Sequence, residues 1–466
     1  MRRSGYPGRV LAAATLTLFV ASCGGSSNGI SPSSGLPTEN TARGSEAFGS
    51  FRPQASGKIK HVVIIVQENR SFDNLFHAFP GADTKGYGYT STGEKVTLQP
   101  VGLESTWDID HSSGAFFAAC NGQGSIPGTN CQMNGFDQEY VGCGHRYYPP
   151  CPNAHPQYSF VPATETKPYF QLGKQYVLAD RMFASNFDAS SFISHQYIIA
   201  GQADSAVDYP NGPWGCDGSP SERIGTVTTN PPRQYGGQIR PCFDYQTLGD
   251  ELDTAGLSWG FYTATLEGDG NIWSAYQAVK HIYQGADWSK DIITPQTQFL
   301  KDVTSNLRTV SWITPTCENS DHAGCGDNTG PAWVASLVNA IGKSQYWKST
   351  AIFIMWDDYG GWYDHVPPPY VDYDGLGMRI PLLIVSPYAK QHYVSSVQYE
   401  HGSILRFIED QFGLPRLTAS DARATSPAAD CFDFSQPPRR FKTIQADHDQ
   451  NFFLRQPPDH RPPDTQ

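Results

Sequence analysis

The chain has 466 residues, 39% of them hydrophobic, enough for one large α/β domain with insertions or for two ordinary domains. Its 45 glycines, 35 prolines and 13% aromatic residues argue against a helical bundle and for a loop-rich enzyme. A net charge of −12 with no sustained basic run argues against nucleic acid as partner, yet leaves anionic substrates open, because a bound metal can invert the local field.

In chain order, Arg2, Arg3 and Arg9 accompany an apolar run from Val10 to Ala21. That run is too short to span a bilayer comfortably and has the proportions of an export signal. It ends in Val20-Ala21-Ser22-Cys23, which resembles a bacterial lipobox. The resemblance implies cleavage before Cys23 and lipid on the new N-terminal cysteine; the competing reading is a plain secretory signal. The Gly-, Ser-, Pro- and Thr-rich residues after Cys23 are expected to form a flexible tether. The expected organisation is a signal at 1–23, a tether at 24–57, a main domain at 58–436 and a weakly packed, proline-rich extension at 437–466. The expected location is the periplasm or cell exterior, with the chain held to a membrane by lipid.

His61-Val-Val-Ile-Ile-Val66 is a continuous β-branched run and reads as a buried strand of a parallel sheet. Ala351 to Trp356 and Ile380 to Val385 read the same way. Trp333, Leu337, Val338 and Ile341 recur at helical spacing within Pro331 to Trp347, and Ser403 to Phe412 forms a second amphipathic helix. Strands alternating with helices predict an α/β sandwich with a mainly parallel sheet. Thr84 to Thr164 and Asp204 to Pro241 lack periodicity and read as long excursions that shape a pocket.

Cys23 aside, nine cysteines remain, and eight fall into sequence-local couples: Cys120 with Cys131, Cys143 with Cys151, Cys216 with Cys242, and Cys317 with Cys325. In an oxidising compartment these are candidate disulfides, with Cys431 left over. A structural zinc site is the alternative, but no C-x-x-C spacing occurs.

Ligand groups in α/β sheets gather just beyond the carboxyl ends of strands. Gln67-Glu68-Asn69-Arg70-Ser71-Phe72-Asp73 follows the first strand, and Trp356-Asp357-Asp358-Tyr359-Gly360-Gly361 follows the second. Two such acidic exits facing each other would form an oxygen-rich cage for a divalent cation. Alternatively, Glu68 and Asp357 cap helices and Asp358 is solvated.

Glu68-Asn69-Arg70-Ser71-Phe72-Asp73 resembles the N-terminal signature of the bacterial phosphoesterase family, which holds non-specific phospholipases C and a group of acid phosphatases. The resemblance continues through Asn134-Gly135-Phe136, Ala179 to Gly201, Val310 to Pro315, Asp357 to Pro369 and Gly375 to Phe412. It implies the fold of the alkaline phosphatase superfamily, a three-layer α/β sandwich. It also implies one divalent metal ion, bound by Glu68, Asn69, Asp357 and Asp358. The nucleophile implied, counting back from Gly201, is Ser191, although Ala189-Ser190 replaces the family's usual glycine-proline and leaves Ser190 as an alternative.

The same resemblance sets His111, His322 and, through a weaker match, His281 around the phosphate. Asp364 and His365, in the Gly-Gly-x-x-Asp-His-Val-Pro-Pro segment, are expected to orient the loop bearing Asp357. His401 is either a late metal histidine or a capping residue just before its helix. Arg70 and Arg379 either contact phosphate or serve as counter-charges. The implied activity is phosphate-ester hydrolysis through a phosphoserine. Chain length and serine at position 191 favour a phosphomonoesterase over a phospholipase C. A binding protein on a scaffold that has lost catalysis is the remaining alternative.

Overall fold

The computed structural model describes residues 57–457 except 124–128, 147, 188–189, 211–214, 229–232, 265–272 and 327. The expected signal, lipobox Cys23 and nearly all of the tether lie outside the described residues. All described residues belong to one unit, which begins at Arg52.

A nine-stranded sheet organises this unit. Its strands are β1 (His61–Gln67), β2 (Val177–Phe183), β3 (Trp259–Tyr262), β4 (Ile292–Ile293), β5 (Val310–Ile313), β6 (Thr350–Trp356), β7 (Arg379–Val385), β8 (Tyr393–Ser395) and β9 (Tyr399–Glu400). They lie in the order β4-β3-β5-β1-β6-β7-β2-β8, with β9 also on β2. Every pairing is parallel except the two made by β7, which runs against β6 and β2. The three predicted strands are present, but Arg379–Val385 is antiparallel, which periodicity cannot show because both its faces are buried.

The helices that matter for the site are α1 (Phe72–Leu75), α2 (Ser113–Cys120), α3 (Lys167–Gln175), α4 (Ser191–Ala200), α5 (Leu248–Thr254), α6 (Gly330–Lys343) and α7 (His401–Phe412). Phe353 and Trp356 sit three residues apart on β6, so they point to opposite faces of the sheet. Phe353 meets Phe407 of α7, and Trp356 meets Tyr169 of α3, giving a layer of helix on each side. The mainly parallel sandwich is therefore as expected. No helix among the described residues is long and apolar enough to cross a membrane.

All four sequence-local couples are disulfides, and Cys431 is free and buried. The expectation of a weakly packed tail is corrected. Up to residue 457 the tail closes over α6: Ile444 exchanges backbone bonds with the Asn339 side chain, and Phe453 packs on Trp333. Ile444 and Phe453 are the tail's buried apolar residues among those described, and a largely polar composition concealed the contact they make.

Candidate active site

The register of the central strands builds the site. Along β1 and β6, His61 faces Thr350 and Gln67 faces Trp356, so both strands end together. Glu68-Asn69 and Asp357-Asp358 thus leave the sheet side by side, and all four are fully buried. Asn69 turns with φ +54°, a left-handed conformation that asparagine tolerates, and its amide N–H donates to Asp357 Oδ1 at 3.1 Å. Gly360, at φ +62°, lies so close that a Cβ would overlap the Asn69 carbonyl; the backbone itself fastens the two exits together.

Ser191 is the first residue of α4, where free backbone N–H groups and the helix dipole favour an anion. The Asn69 side-chain Nδ2 donates to Ser191 Oγ at 2.9 Å and lies 3.0 Å from Asp358 Oδ1 and 3.1 Å from His111 Nε2. Ser191 Oγ is 3.5 Å from Asp358 Oδ2. The neighbouring serines are committed elsewhere: Ser190 donates to the Asp208 carbonyl at 2.7 Å, and Ser194 to Asn186 at 3.3 Å. Of the three, Ser191 alone is bonded to the Asn69–Asp358 pair. Ala189, where the family pattern is broken, lies outside the described residues.

His111 Nδ1 donates to the Ile109 carbonyl at 2.7 Å, which leaves Nε2 as the nitrogen turned to Asn69. His322 Nδ1 is likewise held by the Ala323 carbonyl, and the two rings are 5.9 Å apart. The Cys317–Cys325 disulfide closes the short loop that carries His322. Asp108, His111 and His322 offer ligand atoms within 4.8 Å of one another.

His281 is corrected. Its two ring nitrogens face Asp244 and Asp250, each at 2.9 Å, in a partly exposed ion pair, and the structure does not bring it to Ser191. His401 is corrected in part: α7 begins at His401, two residues earlier than expected, and Glu400 caps it through a box with Ser403. His401 is fully buried, with Nε2 3.5 Å from the Trp356 carbonyl, and burial lowers its pKa to about 4.

Asp364 and His365 sit in a network of ion pairs and hydrogen bonds with Asp73 and Arg379. Arg379 Nε donates to both Asp364 oxygens at 3.0 and 3.1 Å, and Asp364 accepts the Asp73 amide. His365 Nδ1 lies 2.6 Å from Asp73. This network ties the loop after Asp358 to α1, which starts just after the first exit. Arg70 is likewise spoken for: it donates to the Asp321 and Leu103 carbonyls and lies over Trp362, and burial lowers its pKa to about 10. Both arginines are internal counter-charges rather than phosphate contacts.

One residue escaped the sequence reading. His195, one helical turn after Ser191, has Nε2 3.0 Å from Glu68 Oε1 and 3.9 Å from Asp357 Oδ2. Burial lowers its pKa to about 4, so the imidazole is neutral. The Ser191-x-x-x-His195 spacing, which sets both side chains on one helix face, was the available signal.

The donor set fits a divalent cation. Burial, with Asp357 alongside, pushes Asp358 up to about 7, a repulsion that a cation bound between the two carboxylates would relieve. Among the described residues, Asn69 Oδ1 and Asp357 Oδ2 are buried yet accept no hydrogen bond. A half-turn of the Asn69 amide would set its oxygen toward Ser191 and Asp358 as a further ligand.

A model of the Phosphoesterase family matches residues 59–415. Phospholipase C B of Mycobacterium tuberculosis is 27% identical over 434 residues, covering 82% of this chain and 79% of its own. Non-hemolytic phospholipase C of Pseudomonas aeruginosa is 23% identical, covering 84% of this chain and 60% of its own. Non-specific phospholipase C1 of Arabidopsis thaliana is 24% identical, covering 80% and 73%. Among solved structures, an alkaline phosphatase superfamily protein of Vibrio parahaemolyticus aligns at a TM-score of 0.36 and 11% identity, over 78% of this chain and 69% of that one. That likeness is too distant to carry an argument. With the family matched over most of its length, this chain belongs to the Phosphoesterase family and is a hydrolase acting on phosphate esters.

Proposed function

We propose that the protein is a phospholipase C that cleaves a phospholipid diester through a covalent intermediate on Ser191. The observation that carries the serine mechanism is Ser191 Oγ at the start of α4, 2.9 Å from Asn69 Nδ2 and 3.5 Å from Asp358 Oδ2. The choice of diester draws on the three relatives, all phospholipases C, one matched over about four-fifths of both chains. It replaces the phosphomonoesterase expectation: the serine at position 191 suits either ester, and nothing follows from where the chain ends.

In the first step Ser191 Oγ forms a bond to phosphorus and the bond from phosphorus to the glycerol oxygen breaks. The α4 N-terminus holds the phosphoryl oxygens. The Ser191 hydroxyl proton passes to Nε2 of His111, whose Nδ1–H is given to the Ile109 carbonyl, and the resulting imidazolium hands that proton to the diacylglycerol oxygen. Water then attacks phosphorus as the same imidazole takes its proton, the Oγ–P bond breaks, the imidazolium returns the proton to Ser191 Oγ, and the phosphorylated head group leaves. A divalent cation held by Glu68, Asn69, Asp357 and Asp358 would supply the charge that stabilises the serine alkoxide and a non-bridging oxygen.

Four disulfides support an exported protein, and a lipid on Cys23 would hold it at the surface that carries its substrate. The test compares wild type and Ser191→Ala on phosphatidylcholine vesicles and on a soluble phosphomonoester, with and without divalent metal. Serine-dependent release of phosphocholine supports the reading. Turnover of the monoester alone overturns its diester part, and equal activity of the two proteins overturns its serine part.

A further inference from the structure

The four acidic and amide side chains of the two strand exits do not form one undivided group. Asn69 and Asp358 face Ser191 and His111, whereas Glu68 and Asp357 Oδ2 face His195. On that second side, Glu68, His195 and Asp357 offer three ligand atoms within 4.8 Å of one another, all fully buried.

We propose that His195 is a direct nitrogen ligand of the cation that Glu68 and Asp357 hold, and that it turns the site toward borderline metals such as zinc over magnesium or calcium. The inference rests on reading Glu68 and Asp357 as ligands. Atoms bound about 2.0–2.2 Å from one cation stand roughly 3–3.5 Å apart. The separations of 3.0 and 3.9 Å around His195 Nε2 come close to that spacing before any cation draws them in.

Hydrogen-bond geometry argues the same way: a single N–H donated to Glu68 leaves the buried Asp357 Oδ2 with no donor among the described residues. A divalent cation neutralises both acids at once. The tautomer permits it: His195 Nδ1 has no hydrogen-bond partner among the described residues, so, unlike in His111, none of them fixes from the far side of the ring which nitrogen carries the proton. Nε2 is free to present a lone pair. Imidazole nitrogen suits zinc and its neighbours, while carboxylates and water alone suit magnesium and calcium.

The test is calorimetric titration of the metal-stripped chain with Zn²⁺ and with Mg²⁺, for wild type and His195→Gln, alongside X-ray absorption at the zinc edge. His195→Gln should weaken zinc by roughly 10–100-fold or more while changing magnesium little, and one imidazole should vanish from the zinc spectrum. Unchanged zinc affinity in a folded variant overturns the proposal. Should the variant fail to fold, the wild-type spectrum decides: imidazole scattering supports it, and oxygens alone overturn it. A wild type that binds neither metal overturns the ligand reading as well, whereas metal-dependent hydrolysis with unchanged zinc affinity in His195→Gln overturns the role of His195 alone.

Discussion

Gln67 and Trp356 are register partners at the ends of two adjacent parallel strands. Because the ladder stops at both residues together, the next residues, Glu68 and Asp357, emerge as neighbours, and the Asn69 amide can reach Asp357 across the gap. The site is thus a consequence of strand register before it is one of side-chain chemistry.

The nucleophile assignment separates two adjacent serines. Ser191→Ala should lower hydrolysis by roughly three orders of magnitude or more. Ser190→Ala removes only a bond to the Asp208 carbonyl and should cost about 1 kcal/mol of stability with activity largely kept. Steady-state rates and melting curves of both variants check this, and the reverse ranking would move the nucleophile to Ser190.

Metal removal should act on stability as well as rate. Chelation should lower both activity and melting temperature, and added metal at about 1,000 times its dissociation constant should restore roughly 4 kcal/mol. Ser191→Ala should keep most of the thermal response while remaining inactive, because the carboxylates are untouched. A melting temperature indifferent to chelator and metal would contradict the donor set.

Gly360→Ala tests the backbone fastening of the two exits. The new Cβ meets the Asn69 carbonyl, and φ +62° is strained for alanine. A loss of about 1–3 kcal/mol is expected, with a fall in activity larger than the fall in folded fraction. Denaturant unfolding beside kinetics measures both; an active, equally stable variant would sink the idea.

A pH dependence arises from Glu251 on α5. Burial, with repulsion from Asp421 and against the pull of Arg416, raises its pKa from 4.5 to about 7. The folded state therefore holds this proton more tightly, and the stability tied to it is present below pH 4.5 and lost as pH rises through 7. Glu251→Gln stays neutral throughout. Its advantage over wild type should open between pH 4.5 and 7 and level off above, at on the order of 1–3 kcal/mol. Urea unfolding at pH 4.5 and pH 8 reads the gap; the same gap at both would contradict it.

What could be read in advance divides along physical lines. Spacing alone left the two exits, Glu68-Asn69 and Asp357-Asp358, open between a metal cage and helix caps. It was the family resemblance that singled them out together with Ser191, and the structure brings these five side chains together. The disulfide couples were readable because short loops leave few other partners. His195 was not, since a histidine inside an apolar helix looks like core until Glu68 is seen beside it. His281 misled for the opposite reason: a weak match carried it toward the site, while Asp244 and Asp250, both on other segments, hold it away. The tail beyond Pro437 looked loose because its anchors, Ile444 and Phe453, are few and widely spaced.

The bond between Asn69 and Asp357 spans 288 residues of chain. A ribosome must therefore add 288 residues after Asn69 before its partner Asp357 exists. Contacts this distant in sequence close late in folding, because loop closure has to precede any gain from them. A growing chain holds Ser191 without Asp357 and Asp358, so the cluster around Asn69 stays incomplete until the strand carrying Trp356 is laid beside the first.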